Sequence, residues 1–543
     1  MKTTKYMIVA LGLMIGLTAC HDLLDQKPYG QFTEEQMDEG AVEGLLASAY
    51  AGLEAHFYGN NEAFAGPSTN WIFDVRSDDA LKGGGGISME GNIHQLEISN
   101  IFSDNVSGLD KWKNNYFAIS RVHRAMLAIQ SAENITNKNQ YLGELKVLRA
   151  FYYFDLVRIF KYLPYFTEND NASATDNRTY TQADIYGFIQ KDLREAYGMM
   201  SAVEPAPGRF NKYAAAALMA KACAYTQQWD SVIVYADYVI NSGKYQLYPY
   251  YQDMSKIDNN NRYESIIALQ CSTADDNAHI NWSNLLNVTY SAGNLYGTGD
   301  DFFYGSQNLA DAFRTDAQGL PYLESAPSEH VSASYTGNVD PRLDFTVGRI
   351  GYPFRGNLYT DAWCRAKDIY GEYSNKKCCI DPTDTRMAQG WPWGASPLNF
   401  CFVRYADVLL LKAEACVEKS DLATACSLVN EVRAKAKRSI DATYVPADID
   451  VTKAHYKVEP YPSFASQDEA RKAVRMERRL ELALEGHRWF DLVRWGEVVN
   501  TMNAYFQSEA AFHSYYSDAQ MTEDEIYLPT PYEEVINSNG LYQ

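Results

Sequence analysis

Glu477, Glu481 and Glu485 recur every four residues between Arg475 and Gly496, so a helix would carry all three on one face. Two carboxylates one turn apart, such as Glu481 and Glu485, are groups that acid/base catalysis employs. A general acid needs surroundings that raise its pKa. Here Arg478, Arg488 and Arg494 stand among the acids, with Asp491, and guanidinium groups hold carboxylates ionised. The cluster therefore reads as a charged network locking helices together, with Glu485 and Arg488 as structural members.

The remaining candidates for chemistry are flat and polar. Aromatic residues make up 13% of the 543, and 41 of them are tyrosines, a surplus that suits surfaces binding by flat contact with a polar rim. The nine cysteines form no Cys-x-x-Cys pair and no Cys/His cluster of zinc spacing, so no metal and no cofactor are expected. Cys223, Cys416 and Cys426 fall in helical apolar patterns and are expected in the core. Cys364, Cys378, Cys379 and Cys401 lie in a loop-rich region, where a disulfide can form in an exported protein. Gly-x-Ser-x-Gly, His-Glu-x-x-His, phosphate-loop and dinucleotide signatures are absent. A net charge of −21 argues against nucleic acid as a partner and against an electrostatic hold on anionic lipid.

Helices must position most of these residues. Met476, Leu480, Leu484, His487, Phe490 and Val493 keep helical spacing, with Gly486 as a kink or a point of close approach. Ala41 to Phe57, Trp112 to Ser131, Leu145 to Leu163 and Asp184 to Met200 are further expected helices, Pro164 stopping the third. Arg209 to Gly243 and Arg404 to Lys437 each read as a helix pair of about 34 residues, and both open with a basic residue, Tyr and Ala. That period, with small residues at the interfaces, looks like tetratricopeptide repeats. Between the pairs, Gly, Asn, Asp, Pro and Tyr dominate and helical periodicity fades. The expected fold is mainly α: a tetratricopeptide-like helical-pair scaffold at about 30–244 and 401–500, carrying a loop-rich insertion at about 245–400. Loops on a rigid scaffold are where binding residues usually sit.

The chain opens with Lys2 and Lys5, an apolar run from Met7 to Leu17, and Leu17-Thr18-Ala19-Cys20. That run is too short to span a bilayer, and the pattern resembles a bacterial lipoprotein signal peptide over residues 1–19 with Cys20 as the acylated residue. Loss of the two lysines takes the charge from −21 to −23.

Four blocks carry a family resemblance. Cys20 with Asp22-Leu23-Leu24-Asp25 and Pro28 opens the mature chain. Arg149-Ala150 with Tyr153, Leu156 and Pro164 forms the second block, and Arg404-Tyr405-Ala406-Asp407-Val408-Leu409-Leu410-Leu411 with Ala413-Glu414-Ala415 the third. Glu477-Arg478, Glu485-Gly486-His487-Arg488-Trp489-Phe490-Asp491-Leu492 and Arg494-Trp495-Gly496 form the last, followed by the Ile526-to-Pro531 segment and the Asn539-to-Gln543 end. The sequence resembles the SusD-like (RagB/SusD) family. The resemblance implies one SusD-like domain over 20–543, anchored by lipid to the outer membrane and facing out from the cell surface. It further implies glycan capture for a SusC-like TonB-dependent transporter, without catalysis. Two alternatives stay open: a helical glycoside hydrolase using loop acids such as Asp275-Asp276 or Asp300-Asp301, and a tetratricopeptide-type protein-interaction module without a glycan site.

Sugar rings have an apolar C–H face and a hydroxyl rim, so a glycan platform needs exposed flat aromatics beside polar side chains. The loop aromatics are Trp71, Trp282, Tyr290, Tyr296, Trp363, Trp391 and Trp393, whereas Trp112, Trp229, Trp489 and Trp495 sit in helical patterns and are expected in the core. Polar partners are Asp79, Lys82, His94, Asn281, Asn284, Asn287 and Asn294, and Asn281 to Tyr296 is the densest stretch. Trp282, flanked by Asn281 and Asn284, is the expected anchor.

Overall fold

A computed structural model describes residues 38–54, 66–274, 280–284, 286–290, 296–324, 326–377, 379–388, 390, 393–440 and 448–543. Cys20, Asp275-Asp276, Asn294, Cys378 and Trp391 lie outside the described residues.

The scaffold is a run of antiparallel helices. The order is α1 (Glu39–Tyr50), α2 (Val106–Ser131), α3 (Lys138–Ile159), α4 (Gln182–Met199), α5 (Lys212–Tyr225) and α6 (Trp229–Ile240). After the insertion come α7 (Tyr405–Glu418), α8 (Leu422–Arg438), α9 (Gln467–Leu482), α10 (Arg488–Trp495) and α11 (Val498–Glu509). From α2 to α6 each helix packs on its sequence neighbour, and α6 then packs directly on α7. The helical stack thus continues across the insertion as though the chain had not left it. Alanines make this possible: Ala214 to Ala217, Ala220, Ala222 and Ala224 of α5 are all buried between α4, α6 and α7. The fold is mainly α and tetratricopeptide-like.

Among the described residues, two antiparallel strand pairs attach the insertion. β2 (Ser265–Leu269) pairs antiparallel with β4 (Phe400–Arg404), clasping its beginning to its end. β1 (Ala80–Gly83) pairs antiparallel with β3 (Phe302–Gly305), tying an early loop to the middle of the insertion.

Several expected boundaries move, including the starts of α2, at Val106 rather than Trp112, and of α3, at Lys138 rather than Leu145. The first helix stops at Tyr50 and passes into a 3-10 turn at Ala51–Leu53. The α3 helix stops at Ile159, short of Leu163, because Phe160 pairs with Leu528 and the Leu528 N–H takes the Ile159 carbonyl at 2.8 Å. The stretch from Arg475 to Gly496 is two helices rather than one kinked helix. Leu484 (φ 56°) and Gly486 (φ 77°) take left-handed backbone in the link between α9 and α10, which no helix can continue through.

The charged network lies at the seam between scaffold and insertion. The Arg404 guanidinium, at the end of β4, reaches Glu264 (2.7 Å), Glu481 (2.7 Å) and Glu485 (2.8 Å). Lys435 of α8 bridges Glu264 and Glu481, both at 2.6 Å. Arg342 from the insertion joins Asp340 (2.8 Å), Glu477 (2.7 Å) and Glu481 (3.2 Å). Burial alone would raise the Glu481 carboxyl, but Lys435, Arg404 and Arg342 outweigh it and hold that pKa low. Glu485 is lowered in the same way by Arg404 and Lys377 against its own burial. These acids stay ionised and paired, which is the opposite of what a general acid requires. Arg488 pairs with Asp78 at 2.8 Å, so it also ties α10 to the loop before β1.

Candidate ligand-facing loops

The stretch around Asn281 is folded inward by its own hydrogen bonds. The Asn281 N–H donates to the Ser396 carbonyl (3.0 Å), and its side-chain amide donates to the Leu398 carbonyl (2.8 Å). Trp282 is consequently buried at 3% exposure, packed with Ile280, Ala388 and Ala395. The expected anchor is a core residue. The insertion has few helices on which to bury apolar side chains, so its Trp and Tyr residues build small cores of their own.

The same correction applies to most of the loop aromatics. Trp363 and Tyr296 are buried in a second small core, Trp363 with Phe354 (5.5 Å) and Tyr359 (5.6 Å). The Tyr296 hydroxyl donates to the Ile380 carbonyl. Trp71 starts a short helical turn and is buried against Phe303 at 5.5 Å. The Trp393 ring is half-buried over Gly297, where a Cβ would stand 2.4 Å from it.

The polar candidates are mostly committed to the fold as well. Asp79 is buried and accepts from Arg479 at 2.6 Å. His94 pairs with Glu97 at 2.8 Å and sets its ring edge against Tyr515. Lys82 is buried, and its ammonium donates to the carbonyls of Gly83 (3.0 Å), Gly86 (2.9 Å) and Met89 (2.6 Å), so it shapes the glycine tip from beneath. Asn281, Asn284 and Asn287 do converge with Trp71, Tyr248 and Arg404 on one cavity. Its volume is about 80 Å³, against the ~300 Å³ at which small-molecule pockets begin. It has room for water and none for a sugar ring.

Tyr290 is the exception. It is 36% exposed, and the Arg365 guanidinium lies 5.2 Å from its ring centroid. Arg365 also forms an ion pair with Asp300, and these two side chains are 26% and 36% exposed. The glycine tip reaches the same place: a Cβ on Gly85 would lie 3.1 Å from Arg365 Nε. Three segments far apart in the chain thus meet at one surface: Gly83–Gly86, 286–290 with Asp300, and the 361–365 turn. Together they offer an aromatic ring, a fork of donors and a carboxylate acceptor, a set that suits a polar ligand with flat apolar faces. Arg365 was missed because no motif marks it; only the fold brings it to Tyr290. The neighbouring pair Asp300-Asp301 makes a poor catalytic couple, since Asp301 is fully buried and its carboxylate is engaged by the Tyr304 hydroxyl and the Arg365 N–H.

A larger groove, of about 1020 Å³, lies between α2 and the C-terminal segment, lined by Trp112, Tyr116, Phe117, Arg121, Glu534 and Tyr542. It is built from scaffold, with no residue of the insertion in its wall.

Comparison with known proteins agrees with this architecture. Residues 263–543 match the family model described as the SusD family, and residues 22–223 match one described as starch-binding, associating with the outer membrane. A SusD-like protein of Formosa agariphila is 25% identical over 526 residues, covering 92% of each chain. A SusD-like protein of Bacteroides ovatus is 24% identical over 566 residues, covering 96% of this chain and 88% of its own. Among solved structures, a SusD-like carbohydrate-binding protein from Bacteroides fragilis superposes with a TM-score of 0.72 at 20% identity, over 93% of this chain and 98% of that one. Surface glycan-binding protein A from Bacteroides thetaiotaomicron, solved with laminarihexaose, gives 0.69 at 18% identity, over 93% and 98%. With its motif blocks, its helical stack and more than half its length matched by the family model, this chain belongs to the SusD family.

Proposed function

We propose that residues 20–543 form a surface lipoprotein domain that captures oligosaccharide or polysaccharide and delivers it to a SusC-like TonB-dependent transporter. The chain is a binding protein and not an enzyme, in keeping with a family described by starch binding at the outer membrane. The observation that carries the reading to particular residues is the exposed Tyr290 ring beside the Arg365–Asp300 pair. Stacking on the ring recognises sugar faces in general, while the guanidinium and carboxylate serve hydroxyls. Acyl chains on Cys20 would hold the domain at the membrane and raise its local concentration at the transporter.

Affinity gels cast with soluble starch, laminarin, xylan and pectin, followed by calorimetry on whichever glycan retards the protein, test the reading. Tyr290→Ala should weaken binding by roughly 20-fold or more, the usual effect of removing an aromatic anchor. Unchanged affinity, with loss instead in Phe117→Ala, would move the site to the groove beside α2. Cys20→Ala should leave the membrane fraction of cells that lack the transporter; its retention there would refute the lipid anchor.

A further inference from the structure

We propose that Asp301 is the positioning residue of the ligand-facing loops, fixing Tyr290, Asp300 and Arg365 relative to one another through three hydrogen bonds. This rests on the loop-face reading given above. The Asp301 N–H donates to the Val288 carbonyl at 2.9 Å, which registers the 286–290 stretch. Its own carbonyl accepts the Gly84 N–H at 2.8 Å, which registers the glycine tip. Its carboxylate accepts the Arg365 N–H at 2.9 Å, which registers the 361–365 turn. One residue therefore touches all three segments that build the surface. The fit is close: a Cβ on Gly83 would stand 2.6 Å from the Asp301 carbonyl oxygen.

Two features show that this position is built for the task rather than filled by default. Asp301 takes left-handed backbone (φ 56°), a conformation that Asp and Asn tolerate and most residues avoid. It is also a fully buried carboxylate, with Tyr304, Tyr359, Cys364 and Arg365 around it and Asp300 as its chain neighbour. Burial pushes its pKa up to about 7, against the lowering effect of the Tyr304 hydroxyl and the Arg365 N–H. Ionised, it accepts from both donors. Both donors reach the same oxygen, Oδ2, so a proton taken up on the other oxygen leaves them in place but removes the charge that strengthens both bonds, and the clamp loosens.

Two opposed pH trends follow. Between the ordinary aspartate value of about 4 and the folded value of about 7, the folded protein holds a proton that the unfolded chain does not. This group's contribution to stability therefore declines as pH rises through that window. Glycan affinity should do the reverse and rise through about pH 7 as the clamp ionises.

Asp301→Asn keeps the backbone preference and removes the charge, so it tests the role without forcing misfolding. Hydrogen exchange on the unliganded protein is the first readout. The peptide covering 361–366, the segment held by the carboxylate, should exchange faster in Asp301→Asn, while Gly83–Gly86 and 286–290, held by the Asp301 backbone, and the scaffold peptides stay close to the wild-type rate. Unchanged exchange in the 361–366 peptide would overturn the proposal. The second readout is retardation in soluble starch and laminarin gels at pH 6 and pH 8. Wild-type affinity should be higher at pH 8, and Asp301→Asn should lose on the order of tenfold there and lose the pH dependence, as expected for one charge-assisted hydrogen bond. A variant binding like wild type at both pH values would also overturn it. Faster loop exchange in a protein that binds no glycan in any form would uphold the positioning role and refute the loop-face function instead.

Discussion

The Arg404 side chain keeps 2% of its surface in water and the Arg365 side chain keeps 26%, although each holds a carboxylate. Around Arg404 the charges are dry and mutually satisfied: Glu264, Glu481 and Glu485 receive its donors, and Lys435 and Lys377 complete the set. Opening any of these pairs would strand a charge in low dielectric, so nothing here can exchange partners with a ligand. The Arg365–Asp300 pair is wet on one side. Such a pair contributes only ~0.2–1 kcal/mol to stability, and water can take over either partner while the other turns to a ligand. The seam and the loop face use the same chemistry, and burial separates the structural Arg404 from Arg365, the arginine proposed for binding.

Removing the seam arginine should produce the largest effect. Arg404→Ala leaves three buried glutamates without their principal cation and should cost ~3–5 kcal/mol, enough to prevent folding or to lower the denaturation midpoint severely. A urea titration near wild type would show that the seam tolerates open charges. Trp282→Ala comes next. As a buried side chain in a small core it should cost ~3–5 kcal/mol of stability by leaving a cavity. Its affinity per folded molecule should stay unchanged, and a stable variant that lost glycan binding would return Trp282 to the site. Tyr290→Ala should do the converse at the smallest cost to the fold: a melting temperature within a degree or two of wild type, as for surface substitutions of ~0.5 kcal/mol or less, alongside the lost affinity. A large fall in melting temperature would place Tyr290 with the buried aromatics and erase the contrast.

Much of the scaffold could be read along the chain. The repeat of about 34 residues, the alanine-rich α5 and the Arg/Glu signature of α9 and α10 are local patterns, because helices satisfy their own backbone and declare their buried face by spacing. Glu485 and Arg488 were legible as structural from the company of opposite charges, although their partners, Arg404 with Lys377 and Asp78, lie elsewhere in the sequence. Of the loop aromatics, only Tyr290 and the half-buried Trp393 remain in view among the described residues. Trp282 and Tyr290 sit in similar Asn-rich sequence, and nothing local distinguishes them. Trp282 goes inward because Asn281 is held by Ser396 and Leu398, and Tyr290 stays outside because Asp301 holds Val288 and turns the chain just before it.

The sequence by itself determined a helical-pair protein of the SusD family with an acid-and-arginine lock, since periodicity and contiguous motifs survive in one dimension. Only the tertiary structure decided which ring meets water and which arginine stands beside it. Stacking surfaces need exposure, and in a loop-rich insertion exposure is set by long-range hydrogen bonds and by whichever aromatics the small cores have already taken.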